Sequence, residues 1–139
     1  MRQYQETLTI ETRGQSLTEF TRDVARIIKA AGMATGVAHV FCRHTSASLL
    51  IQENADPDVQ RDLLAFFKRL VPDGDPLFIH RAEGPDDMPA HVKTALTQTT
   101  LTVPISNGRM MLGTWQGIYL FEHRTRPHAR QIVVHVVGE

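Results

Sequence analysis

Apolar residues recur along this chain with two periods, and the change from one to the other marks out its elements. Residues 3–12 alternate, with Tyr4 and the run Thr7 to Ile10, which predicts a half-buried first strand. Gly14 interrupts that pattern. Ser16, followed three residues later by Glu19, reads as a capping box opening a helix. Phe20, Val24, Ile27, Ile28 and Ala31 then fall on one helical face, and Gly32 is placed to end it. Val37 to Cys42 predicts a buried strand, and a further strand is expected near Ser48–Gln52. Asp56 and Pro57 open a second helix whose stripe is Val59, Leu63, Phe66, Phe67 and Leu70.

Val71-Pro72-Asp73-Gly74-Asp75-Pro76 breaks that helix, and a short third helix is predicted near Pro89–Thr97. From Thr99 the period becomes that of strands. Thr99–Ile105 alternates, Asn107-Gly108 is a strong hairpin signal, and Arg109–Leu112 answers it. Gly117–His123 and Gln131–Val137 complete the series. Early helices mixed with strands, followed by a run of strands, predict an α+β fold. The expected architecture is a single compact domain over residues 1–139, with about three helices and a largely antiparallel sheet or sandwich.

Charge narrows the choice of partners. Fifteen Lys and Arg balance fifteen Asp and Glu, so neither nucleic acid nor a membrane surface is indicated as a partner. The lone Cys42 rules out an internal disulfide, and no apolar run approaches the roughly 18 residues of a membrane span. A cytoplasmic location is expected.

Three polar stretches stand out against the apolar framework. The first is Arg43-His44-Thr45-Ser46-Ala47-Ser48, followed by Glu53-Asn54-Ala55-Asp56. The second runs from His80 to His91 and includes Glu83, Asp86 and Asp87. The third, Gly113-Thr114-Trp115-Gln116-Gly117, sets the one tryptophan between two glycines. The three are expected to meet at one site. Gly-rich nucleotide loops and a Gly-x-Ser-x-Gly elbow are both missing.

The residues His44-Thr45-Ser46-Ala47, Glu53-Asn54-Ala55-Asp56-Pro57, Glu83-Gly84-Pro85-Asp86-Asp87-Met88-Pro89-Ala90-His91, Leu101-Thr102-Val103-Pro104 and Leu112-Gly113-Thr114-Trp115-Gln116-Gly117-Ile118 resemble the YjbQ-like family. Its members are often labelled secondary thiamine-phosphate synthases. The resemblance spans nearly the whole chain. It implies an α+β domain assembled as a homotrimer, with sites between or near subunits, and functional histidines at His44, His80 and His91. Some members have Asn-Ala-Asp-Ala-His where this chain has Asp86 to His91, and Asp87 stands in for the acidic group.

Two chemistries follow from these residues. His44, His80 and His91 can bind a metal such as zinc, with an open fourth position, although their separations of 36 and 11 residues carry no motif. Equally, the histidines can move protons or link loops without any metal. In a synthase-like reaction a pyrimidine diphosphate and a thiazole phosphate join with release of pyrophosphate. His44, His80, His91 and Asp87 then bind metal or move protons, and Mg²⁺ is expected beside the phosphates. Thr45, Ser46, Lys93 and Arg109 serve the phosphates, Asn54 and Asp56 lie at a helix start suited to anions, and Trp115 and Gln116 form a wall. The alternatives are a metal-dependent hydrolase of a small phosphorylated or carbonyl compound, and a non-catalytic trimeric protein that binds a small ligand. His39, His123, His128 and His135 read as structural.

Overall fold

Burial alternates most cleanly where the strands were expected, and that alternation builds the core. The computed structural model describes Met1–Glu139. In chain order the elements are β1 (Arg2–Thr12), β2 (Ser16–Glu19), α1 (Thr21–Ala31), β3 (Gly36–Cys42), β4 (Ala47–Glu53), α2 (Pro57–Leu70), α3 (Asp87–Leu96), β5 (Thr100–Ser106), β6 (Arg109–Met110), β7 (Gln116–Glu122) and β8 (His128–Gly138). One antiparallel sheet has the order β1-β8-β3-β5-β6, and a second has β2-β7-β4. This is the α+β architecture with three helices that the periodicities predict. No helix is long and apolar enough to cross a membrane.

Leu101, Val103 and Ile105 of β5 point the same way as Ile132, Val134 and Val136 of β8 and Ala38, Val40 and Cys42 of β3. The stripe of α1 closes over them, and Ile118, Leu120, Ala47 and Leu49 of the smaller sheet join the same cluster. Each large aliphatic side chain in such a core contributes roughly 1.5–3 kcal/mol through burial.

Several local expectations change. Ser16–Glu19 is a strand paired with β7, from Ser16 opposite Glu122 to Glu19 opposite Tyr119. The capping box fails because tertiary pairing claims its residues: Ser16 Oγ donates to the Gly14 carbonyl, while the Glu19 carboxylate accepts from Thr21 and Asn54. The helix begins at Thr21 with no side-chain cap, yet its predicted apolar face is buried. Gly32 ends it in the left-handed conformation, at φ 69°. Asp56 caps α2 by accepting from the Asp58 N–H at 2.9 Å. No residue of that helix is buried, however, and Phe66 and Leu70 lie about half exposed. The strand expected over Arg109–Leu112 stops at Met110, after a turn with positive φ at both Asn107 and Gly108.

At the end of the smaller sheet nearest Ala47, a charged pair is sealed into the interior. Glu122 is fully buried, and its carboxylate accepts from Arg130 and from Thr12 Oγ at 2.7 Å. Burial alone would raise its pKa, but the hydrogen bonds from Arg130, Thr12 and the Arg124 N–H outweigh that and hold it below the ordinary value. Because the folded value is depressed, the stabilisation is present above the ordinary carboxylate range and is lost as pH falls through the folded pKa. We predict that Glu122→Gln lowers stability by about 3–5 kcal/mol at neutral pH, because it strands the Arg130 charge. Urea unfolding should show this difference shrinking toward acid pH; a variant as stable as the parent at pH 7 would contradict it.

Candidate metal centre

The second polar stretch folds around a buried guanidinium. Arg124, just past the end of β7, donates from Nε to Asp86 Oδ2 and from Nη1 to Asp87 Oδ1, both at 2.9 Å. Its Nη2 reaches the Glu83 carbonyl at 2.9 Å. Asp86 also accepts from the N–H and hydroxyl of Thr125. Burial would raise the Asp86 carboxyl, but Arg124 and the Thr125 N–H bring it down to about 2. These bonds fix the start of α3.

With Oδ1 of Asp87 held from behind, Oδ2 faces outward. There it meets His80 Nε2 at 2.8 Å and His91 Nε2 at 3.2 Å, the latter one helical turn along α3. The ligand atoms of His80, Asp87 and His91 all lie within 4.8 Å of one another. Asp87 is buried, while His80 opens to solvent. Burial acts to raise the Asp87 carboxyl, yet the His80 hydrogen bond, the neighbouring His91 and the Arg124 charge lower it below the ordinary carboxylate value. It is therefore an anion at neutral pH.

The contacts of His91 narrow what can lie between these atoms. Its Nδ1 is 2.9 Å from the Thr45 carbonyl oxygen, which can only accept, so Nδ1 carries a proton. In the neutral ring Nε2 is then a lone pair aimed at a carboxylate oxygen 3.2 Å away. Two acceptors face each other, and only a proton or a cation between them removes the repulsion. Two imidazole nitrogens and one carboxylate oxygen, open on one side, fit a transition-metal or zinc ion. The supporting contacts fit as well. A ligating histidine typically donates its other N–H to a carbonyl, as His91 does, and a ligating carboxylate is itself hydrogen-bonded, as Asp87 is.

The structure draws the other expected site residues apart. His44 is not one of the converging ligands: its Nε2 accepts the Gln131 N–H at 2.7 Å, which occupies the nitrogen. It faces His91 across a groove of about 410 Å³ that includes Thr45, Thr94 and Thr97. Ser46 lies close in sequence but accepts from Arg130 at 3.0 Å and is buried. Lys93 projects from the opposite side of α3, two residues beyond His91.

Asn54, Asp56, Trp115 and Gln116 gather at the far end of β4. Asn54 N–H donates to the Trp115 carbonyl, Gln116 stands opposite Glu53, and Asp56 caps α2. The six residue steps of β4 separate that end from Ala47 by roughly 20 Å. Trp115 is 62% exposed, and Gly117 accommodates Glu19 and Asn54 packed against it. Arg109 lies elsewhere again, on β6 beside Thr21 and Lys29 of α1. The three polar stretches therefore form two clusters, because a strand running through the first one carries its halves to opposite ends. Sequence reasoning missed Arg124. Its signal was the charged triplet Glu122-His123-Arg124 directly after the apolar run Ile118–Phe121.

A chain with this two-sheet α+β fold and a two-histidine, one-carboxylate cluster defines a class by architecture and by site. Comparison with known proteins gives that class a name: residues 6–139 match the family described as UPF0047 protein YjbQ-like, and the chain belongs to it. It is 55% identical over 138 residues to a UPF0047 protein of Synechocystis, covering 99% of this chain and 94% of that one. To YjbQ of Escherichia coli O157:H7 it is 39% identical, covering 98% and 99%. A crystal structure of a YjbQ/UPF0047 protein from Clostridium acetobutylicum matches with a TM-score of 0.88 and 33% identity, over 95% of this chain and 99% of that one. A crystal structure of a protein from Sulfolobus solfataricus described as YbjQ-like has a TM-score of 0.90 at 22% identity, over 99% of both chains, a likeness of fold.

Calorimetric titration of the metal-free protein with Zn²⁺ tests the ligand set. We expect His80→Ala and His91→Ala each to weaken binding at least 100-fold, and His44→Ala to change it less than threefold. Loss of binding in His44→Ala equal to that in His91→Ala would overturn the assignment.

Proposed function

We propose that this protein is a divalent-metal-dependent hydrolase of a small phosphorylated compound, with His80, Asp87 and His91 holding the ion. The observation that carries this reading is the lone pair of His91 Nε2 facing the Asp87 carboxylate, with both Nδ1 and Oδ1 committed elsewhere. A bound ion supplies Lewis acidity and a nucleophilic water near neutral pH. The protein's own groups do the rest. Arg124 keeps Asp87 ionised and oriented, the Thr45 carbonyl fixes the His91 ring, and the exposed side of His80 leaves room for substrate. The groove beside His91 is lined by Thr45, Thr94 and Thr97, and the exposed Thr45 offers a hydroxyl suited to phosphoryl oxygens.

The synthase reaction that the resemblance implies is the weaker reading. Its phosphate contacts fall to Thr45, Ser46, Lys93 and Arg109 and its ring wall to Trp115 and Gln116; of these only Thr45 lines the groove beside His91, Ser46 is held by Arg130, and the others lie on other parts of the surface. A centre with a single carboxylate also suits zinc, manganese or iron better than magnesium.

We also propose a homotrimer in the cytoplasm. Exposed Phe66, Leu70, Leu77 and Ile79 offer apolar area for contact between subunits, and the single buried thiol of Cys42 suits a reducing compartment. Sedimentation equilibrium should return three times the chain mass; a monomer at micromolar concentration would contradict the assembly.

The functional test is hydrolysis of a panel of small phosphate monoesters with added Zn²⁺ or Mn²⁺, alongside thiamine phosphate formation with Mg²⁺. We expect metal-dependent phosphate release that falls at least 1,000-fold in Asp87→Asn while the variant keeps its fold. Thiamine phosphate formation without any hydrolysis would reverse the order of the two readings. Turnover that survives both EDTA and Asp87→Asn would remove the centre from catalysis.

A further inference from the structure

On the side of α3 away from the metal centre, a cavity of about 470 Å³ lies beneath α2. It exists because α2 rests lightly on the sheet: the helix buries none of its residues, and its main aromatic contact is Phe67 edge-on to Phe121 at 5.3 Å. The volume falls within the usual range for small-molecule sites, about 300–1,000 Å³.

Its lining is unusual for a packing defect. The Lys93 side chain forms part of the wall and is only 3% exposed, yet its amine makes no hydrogen bond or ion pair within the chain. His123, 1% exposed, is held through Nε2 to Ser48 Oγ at 2.8 Å, while its Nδ1 finds no partner. Burying an imidazole nitrogen without a partner costs stability, and the Lys93 amine, which keeps contact with solvent, has no anion of its own; together they leave polar capacity for something that enters. The carboxylates nearby do not supply it. Glu122 in the wall is held by Arg130 and Thr12, and Asp86 by Arg124. Asp73 makes no ion pair with Lys93 and receives instead a long contact from Gln15 at 3.5 Å. Arg61 and Lys68 of α2 add two more cations at the rim. The rings of Phe67 and Phe121 line the same cavity, with His123 against Phe121 at 4.2 Å between ring centres.

We propose that this cavity binds a small organic anion, a carboxylate or phosphate group on a flat apolar body. Lys93 and the rim cations receive the anion, and the Phe67 and Phe121 rings receive the body. The site is separate from the metal centre and does not depend on the reaction assigned there. Since α3 carries His91 toward one side and Lys93 toward the other, a ligand here touches the same helix that positions the metal.

The test is binding of benzoate and of phenylphosphonate to the full chain in EDTA, followed by calorimetry and by NMR of the His123 ring. Benzyl alcohol and inorganic phosphate serve as probes lacking the charge or the body. We expect saturable binding of both complete probes, at least tenfold weaker binding of the two partial ones, and shifted His123 signals. Lys93→Met, which keeps length and apolar volume, should weaken binding at least tenfold. Ala65→Trp, placed on an exposed position of α2 to fill the cavity, should abolish it. Equal binding by parent and Ala65→Trp, unshifted His123 signals, or no binding at millimolar concentration would each overturn the proposal.

Discussion

The guanidinium of Arg124 joins the end of β7 to the whole segment that carries His80, Asp87 and His91, the candidate metal centre. Without it, Asp86 and Asp87 would be two adjacent carboxylates buried at a helix start, repelling each other with no guanidinium between them. With it, each acid receives one arm of the fork, and the Glu83 carbonyl receives a third nitrogen. A lysine could not reproduce this, because it lacks a planar set of donors at fixed angles. The consequence is positional. Asp87 is locked with one oxygen turned inward and the other turned toward two imidazoles, and α3 starts where His91 can reach the Thr45 carbonyl.

Much of the framework was legible in the sequence because its elements are decided locally. The stripe of α1, the alternation in β5 and β8, the Asp56-Pro57 start of α2 and the Asn107-Gly108 turn each appear where the chain's own pattern puts them. Ser16–Glu19 misled because its local signal is that of a helix cap, whereas its partner is a strand a hundred residues away. The stripe of α2 misled in another way: period shows which face is apolar, but not how closely a neighbour packs against it.

The site was legible in part, and the limits are geometric. His80, Asp87 and His91 lie within one stretch of twelve residues, so proximity in sequence became proximity in space. His44 and Thr45 reach the groove because β3 and β4 turn back beside α3. Asn54 belongs to the same polar stretch as His44, but an intervening strand places it at the other end of the sheet with Trp115. Arg124 escaped notice because a charged group at a strand end looks like a surface feature until the chain around it is known to be buried.

The account turns on whether a cation or only a proton separates Asp87 from His91. The most direct measurement is an anomalous difference map from a crystal soaked with zinc at neutral pH, collected above and below the zinc edge. The account predicts a peak about 2.0–2.2 Å from His80 Nε2, His91 Nε2 and Asp87 Oδ2, with Arg124 still on Oδ1. A map without a peak, and with the His91–Asp87 contact unchanged, would show a protonated histidine paired with a carboxylate and contradict the metal centre.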